Sequence, residues 1–232
     1  MTRSIAGKDL AVLWRSPIPY VVGALFNLVL ALLYVSELTT RRQALMQPMF
    51  PIAGFLLVVL VPMLCMRAIA EEARTGTLDV LLAIPVSGRA LVVGKWLACW
   101  VTAAAVGAPA LAHAAVLRWF GHPDTGPIVS GFVGLLLLTG ALSGIGLLSS
   151  SLSPSQPLAA VVALFASLLL WFARGGSPSS GVGSLLSRVS LSERLHGFAG
   201  GVLDSADIVF LVVLMAMTLV AATAVVDSRR CT

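Results

Sequence analysis

PMFPIAGFLLVVLVPMLCMRAIAEEARTGTLDVLLAIP, residues 48–85, decides the fold in two halves. The first half carries no charged residue from Pro48 to Met66. A helix rising about 1.5 Å per residue crosses ~30 Å of hydrocarbon in roughly 20 residues, so a span is expected over 48–70, kinked at Pro62. The second half crowds Glu71, Glu72 and Arg74 together, which brings the chain out of the membrane into water. Gly76 permits a sharp turn. Thr77 can cap a new short helix with Asp79 in its first turn. Leu78, Leu81 and Leu82 then share one apolar stripe at i, i+3 and i+4, and Pro85 stops the helix. The result is a short helix lying across the membrane face. Physics alone leaves it two uses: a connector resting on lipid headgroups, or a lever that a cytoplasmic partner pushes.

The rest of the chain repeats the apolar theme. Of 232 residues, 58% are hydrophobic and 11% charged, against about 25% charged in a soluble domain. Mean hydropathy is +0.99. Too little polar surface exists to cover a water-soluble globule, so the expected class is an all-α polytopic membrane protein. Six transmembrane helices are expected over 18–35, 48–70, 89–117, 128–148, 158–173 and 208–226. Ser16-Pro17 opens the first, Ser87 caps the third, and the Ser/Pro turn SSSLSPSQP (149–157) joins the fourth to the fifth. GALSG (140–144) is a GxxxG pattern for close helix packing. Asp204 or Ser205 is expected to cap span six, with Asp207 in its positive first turn.

Six spans put both termini on one side. With the N-terminus inside, nine Lys and Arg fall on the inner side (Arg3, Lys8, Arg15, Arg67, Arg74, Arg89, Lys95, Arg229, Arg230) and six on the outer (Arg41, Arg42, Arg118, Arg174, Arg188, Arg194). That bias sets both termini in the cytoplasm. The formal net charge of +5 then faces anionic lipid rather than nucleic acid. Residues 4–15 form an amphipathic surface helix, with Ile5, Leu10, Leu13 and Trp14 against Lys8, Asp9 and Arg15. No small-residue cleavage site follows, so the segment reads as retained. The apolar residues of 182–203 suggest short pieces that dip into the outer leaflet and return.

Chemistry is sparse. The spans hold almost no ionisable residue near their centres, which argues against an ion-coupled carrier. Asn27, Thr102 and Ser143 read as interhelical hydrogen-bonding groups, and Asn27 is also the candidate for lining a substrate path. The three cysteines, Cys65, Cys99 and Cys231, lack metal or disulfide spacing, and His113, His122 and His196 make no metal site. Gly94-Lys95 is not a phosphate-binding loop, because Arg89 occupies the position of its first glycine. ATP and Mg, where they act, belong to another chain. Glu71-Glu72 resembles the EExxxR pattern of CAAX-type intramembrane proteases, but the arginine comes two positions early. Ser143 with His113 or His196 lacks the GxSG signature because position 141 is Ala. No catalytic residue is assigned.

PMLCMRAIAEEARTGTLDVLLAIPVSGRALVVGKW (62–96) resembles the signature of type-2 ABC exporter permeases, and more closely their gliding-motility-type and nitrous-oxide-reductase-maturation-type branch. Glu71, Glu72, Arg74, Thr75, Gly76, Thr77, Leu78, Leu81, Leu82, Pro85, Val93, Gly94 and Lys95 carry the pattern. LWRSPIPYVVGALF (13–26) and FAGGVLDSADIVF (198–210) match in the right order, while Pro154 and Pro157 depart from it. The resemblance implies one permease domain over 1–232. It makes the helix at about 75–85 a coupling helix, seated on a cytoplasmic ABC ATPase through Glu71, Glu72, Arg74, Thr75, Gly76, Thr77, Leu78, Leu81 and Leu82. It also implies two ATPase copies, a second permease chain (identical or paralogous), a surface connector helix at the N-terminus and extracellular re-entrant helices over 182–203. An extracytoplasmic partner protein fits the same architecture. Beside this reading stand a haem-exporter-like permease of cytochrome c maturation, and a membrane scaffold that docks a cytoplasmic partner without transport.

Overall fold

The computed structural model describes residues 2–41, 45–74, 87–120, 124–153, 155–173 and 188–229. Every regular element among them is helical. In chain order they are α1 (Thr2–Arg15), α2 (Ile18–Arg41), α3 (Met49–Cys65), α4 (Ala70–Arg74), α5 (Gly88–Gly107), a 3₁₀ turn (Ala108–Ala110), α6 (Leu111–Phe120), α7 (Thr125–Leu152), α8 (Gln156–Trp171), α9 (Leu191–Ala199) and α10 (Ser205–Ser228).

Five segments are helical, long and apolar enough to cross a membrane: Ile18–Thr40, Met49–Glu72, Gly88–Trp119, Thr125–Leu152 and Ser205–Ser228. This makes the chain a multi-pass membrane protein. The fifth expected span is the apolar helix α8, with 16 residues. At about 1.5 Å per residue it reaches roughly 24 Å, short of the ~30 Å hydrocarbon thickness. Several helices outrun the spans expected for them, because uncharged polar residues such as Ser36 and Thr39 extend a helix without ending it. The hydroxyls of Thr39 and Thr40 both donate to the Ser36 carbonyl.

α7 is the centre of the bundle, packed against α3, α5, α8, α9 and α10. A helix that is apolar on all faces has to be enclosed, and glycines let its neighbours come close. The rings of Phe50 (α3) and Phe198 (α9) lie in the spaces that β-carbons on Gly131 and Gly134 would need. The GxxxG pair faces α10, Gly140 under Met215 and Gly144 under Thr218. α2 and α10 are the least enclosed. Val21, Leu25, Leu28 and Leu32 on α2, and Val209, Val213, Met217 and Val220 on α10, form exposed apolar rows.

The two ends of the bundle differ in kind. At one end α9 tucks Leu191, Leu195 and Phe198 inward, and the Ser130 hydroxyl of α7 donates to the Phe198 carbonyl at 2.7 Å. The chain then turns through Gly201, whose φ of +90° suits glycine. Asp204 is the N-cap of α10, its carboxylate accepting the Ala206 N–H at 2.9 Å. Asp207, in the first turn, pairs with Arg194 of α9 at 2.6 Å, and that guanidinium lies 3.8 Å from the Phe210 ring centroid. The opposite end gathers α1, α4 and the start of α5, and there Lys95 is buried beside the partly buried Glu72 and Asp9.

Candidate functional site

α3 does not run straight into the acids. α3 passes through Pro62 and ends at Cys65, and the helix is then broken at 66–69. Ala68 N–H closes tightly on the Cys65 carbonyl at 3.0 Å. A continuous helix would next donate Ile69 N–H to Cys65 and Ala70 N–H to Met66. Instead both amides donate to one hydroxyl, Ser150 Oγ of α7, each at 3.0 Å. Ser150 donates in turn to the Met66 carbonyl at 3.1 Å. The hydroxyl thus stands in the missing rung and uses its one donor and two acceptor sites in full. It is wholly buried. Removing it strands two donors and an acceptor, each costing about 1–3 kcal/mol.

α4 begins at this break. Its first turn holds Glu71 and Glu72 and its last holds Arg74, an order that suits the helix dipole. Glu72 turns back to the bundle and meets Lys95 of α5, Oε1 to Nζ 2.7 Å. Asp9 of α1 reaches the same ammonium at 3.3 Å. The Lys95 side chain is 4% exposed, and the Glu72 and Asp9 side chains 18% and 17%. One cation therefore ties three helices together. Gly94 helps: a β-carbon there would lie only 3.0–3.2 Å from Ile5 and the Thr2 carbonyl of α1, so its absence lets α1 lie close on α5. A cavity of about 290 Å³ opens beside the cluster, edged by Lys8, Asp9, Arg67, Glu71, Glu72 and Lys95.

The far side of the segment is held as well. Ser87 caps α5, its hydroxyl accepting the Ala90 N–H at 3.3 Å. The Asp227 carboxylate of α10 occupies the space that a β-carbon on Gly88 would need. Arg229 donates to the Ser151 carbonyl at 2.7 Å, joining the C-terminal ends of α10 and α7.

Of the residues expected to meet a partner, Glu71, Glu72 and Arg74 therefore lie on α4, at the charged end of the bundle. Thr75, Gly76, Thr77, Leu78, Leu81, Leu82 and the helix stop Pro85 lie outside the described residues. Asn27 joins α2 to α5, its Nδ2 donating to the Val106 carbonyl at 3.0 Å and to Gly23 at 2.7 Å. It also borders a cavity of about 330 Å³ with Trp14, Tyr20 and Pro109. Thr102 bonds back within its own helix, to Ala98 at 2.8 Å. Ser143 is enclosed, His113 packs edge-on against Tyr34 with ring centroids 6.0 Å apart, and His196 is exposed. Among the described residues no hydrogen bond joins Ser143 to either histidine.

Lys95 and Ser150 were the residues that sequence reasoning passed over. Lys95 stood as an inner-side charge and the end of a motif, without a partner assigned, although a lysine inside a span-length apolar run asks for a buried acid. Ser150 stood only in a turn, and no local signal marks a hydroxyl that serves a helix break 80 residues away.

Among curated proteins no match was found. The family model for "ABC-2 family transporter protein" matches residues 3–199, from α1 to the end of α9. The chain belongs to the ABC-2 transporter family, as a membrane permease component of an ABC transporter.

Proposed function

We propose that this chain is the membrane-spanning subunit of an ATP-driven exporter of the gliding-motility-type and nitrous-oxide-reductase-maturation-type branch. It works as a permease dimer with two separate ABC ATPase subunits that bind ATP and Mg. It has no catalytic activity of its own. Family membership implies an ABC ATPase partner, and one structural observation supports the point of contact. Both flanks of segment 75–86 are fastened: α4, which ends at Arg74, is held by Lys95 and Ser150, and Gly88 lies under Asp227. Flanks fastened in this way can pass a push into the bundle. In this reading Glu71, Glu72, Arg74, Thr75, Gly76, Thr77, Leu78, Leu81 and Leu82 contact the ATPase. α1 lies along the inner membrane surface, and α9 belongs to an outer re-entrant element. α8 is the fifth of six spans, its short length met by local thinning of the bilayer. A dimer cleft bordered by spans one, two and five supplies the pathway, with Asn27 on its lining.

Thr77→Arg or Gly76→Trp tests the coupling. Both variants are expected to insert normally, while vanadate-sensitive ATP hydrolysis by the permease–ATPase complex falls on the order of tenfold or more, the scale of a typical coupling energy. Normal association and normal turnover in both would sink the reading. Normal association with hydrolysis that the permease never influences would favour the scaffold instead.

Orientation has its own test. In the cytoplasmic membrane with both termini inside, a cysteine at Ser179 labels with an impermeant maleimide in intact cells, and native Cys231 labels only after permeabilisation. The reverse pattern refutes the topology.

A further inference from the structure

The geometry points to Ser150 as a positioning residue, the pivot through which displacement of segment 75–86 reaches α7. This rests on the coupling reading above and adds the route by which the push travels.

Three observations carry it. First, the backbone between α3 and α4 lacks its own rung at 69–70, because both amides there donate to the Ser150 hydroxyl at 3.0 Å. A helix whose ladder is interrupted bends at that point more easily than along its length. α4 can therefore change its angle to α3 while its first residues stay bonded to α7. Second, Ser150 is wholly buried in the last turn of the most enclosed helix of the bundle. A side chain without room cannot absorb the motion by changing rotamer, so it passes the motion on. Third, the receiving helices form one body. Arg229 bonds the Ser151 carbonyl at 2.7 Å, and Gly140 and Gly144 seat α7 against Met215 and Thr218 of α10. The return of the segment meets that same body, where Asp227 of α10 sits on Gly88. The two flanks of segment 75–86 thus both bear on the α7–α10 pair, the first through the Ser150 hydroxyl and through Ile69, which packs with Leu147, Ala222 and Val226.

Neighbouring groups at this end are bonded differently. The Ser151 hydroxyl bonds back to Leu148 in its own helix at 2.7 Å. Lys95 holds the flank of α4 to α1 and α5.

The test uses the complex of this chain with the ABC ATPase that purifies with it, held in nanodiscs. Cys231→Ser removes one native thiol, and Cys65 and Cys99 are buried. Bimane is placed on Leu152→Cys, which is 56% exposed, and in a parallel sample on Asp79→Cys. Emission is compared without nucleotide and after trapping with ATP and vanadate. Both labels are expected to shift in the parent. In Ser150→Ala the shift at position 79 persists and the shift at 152 is lost. Ser150→Thr, which keeps a hydroxyl, restores it, and Ser151→Ala leaves both shifts in place. A parental shift at 152 in Ser150→Ala overturns the pivot. No shift at position 79 in the parent overturns the coupling reading beneath it. Should Ser150→Ala not assemble, hydrogen exchange on the parent decides. The peptide carrying the Ile69 and Ala70 amides stays protected with and without trapped nucleotide if Ser150 is the pivot. Opening in the trapped state overturns it.

Discussion

Lys95→Met is expected to lower the melting temperature of the detergent-solubilised permease by about 6–20 °C. Methionine keeps the length of the lysine stem and its apolar contacts, so what is lost is the charge. The Glu72 and Asp9 carboxylates, 18% and 17% exposed, then face each other without the ammonium that now lies 2.7 Å and 3.3 Å from them. Breaking a buried ion cluster from one side costs about 3–5 kcal/mol, because the remaining charge stays desolvated. In a chain of this size 1 kcal/mol moves the midpoint by about 2–4 °C, which sets the range above. Glu72→Gln combined with Asp9→Asn in the Lys95→Met background removes the stranded charge and should recover most of the loss. If Lys95→Met melts with the parent, the cluster contributes no stability. The neutral triple variant also separates two roles: a chain that is stable again but no longer linked to ATP hydrolysis would mark the cluster as part of the lever.

A second large loss is expected at Gly144. A β-carbon there would fall on the Thr218 hydroxyl, with the Met215 backbone close behind. Thr218 has little room to turn, since its hydroxyl is 2.9 Å from the carbonyls of both Leu214 and Met215. Gly144→Ala therefore forces α10 outward at an overpacking cost of about 1–3 kcal/mol. Gly144→Leu, with three further carbons, is expected to abolish the monodisperse peak in fluorescence-detected size exclusion. Gly126→Ala is the control, because nothing lies within 4 Å of a β-carbon there, and it should elute and melt within the scatter of the parent. Equal behaviour of Gly144→Leu and Gly126→Ala would show that the α7–α10 contact is not close enough to matter.

The membrane class and the helical runs were legible in the sequence, because an apolar stretch without charge has only one way to satisfy its backbone in lipid. Ser87, Asp204 and Asp207 were legible too. A cap acts within four residues of its helix start, so local chemistry is enough. Glu71 and Glu72 stood out as the one dense charge between two spans. Their partners did not. Glu72 finds Lys95 23 residues further on, and Asp9 reaches the same ammonium from 86 residues before it. Pro62 drew attention as the source of a bend, yet the helix breaks four residues later, where Ser150 offers a better partner than the next carbonyl.

The sequence by itself therefore determined which segments lie in lipid and where the chain must return to water, since both depend on composition and on neighbours within a few residues. Only the tertiary structure decided how the residues on either side of segment 75–86 are held. A single hydroxyl, a single ammonium and a carboxylate above a glycine gain their meaning when helices distant in sequence are brought within 3 Å or so of one another, where burial makes each hydrogen bond and charge pair costly to lose.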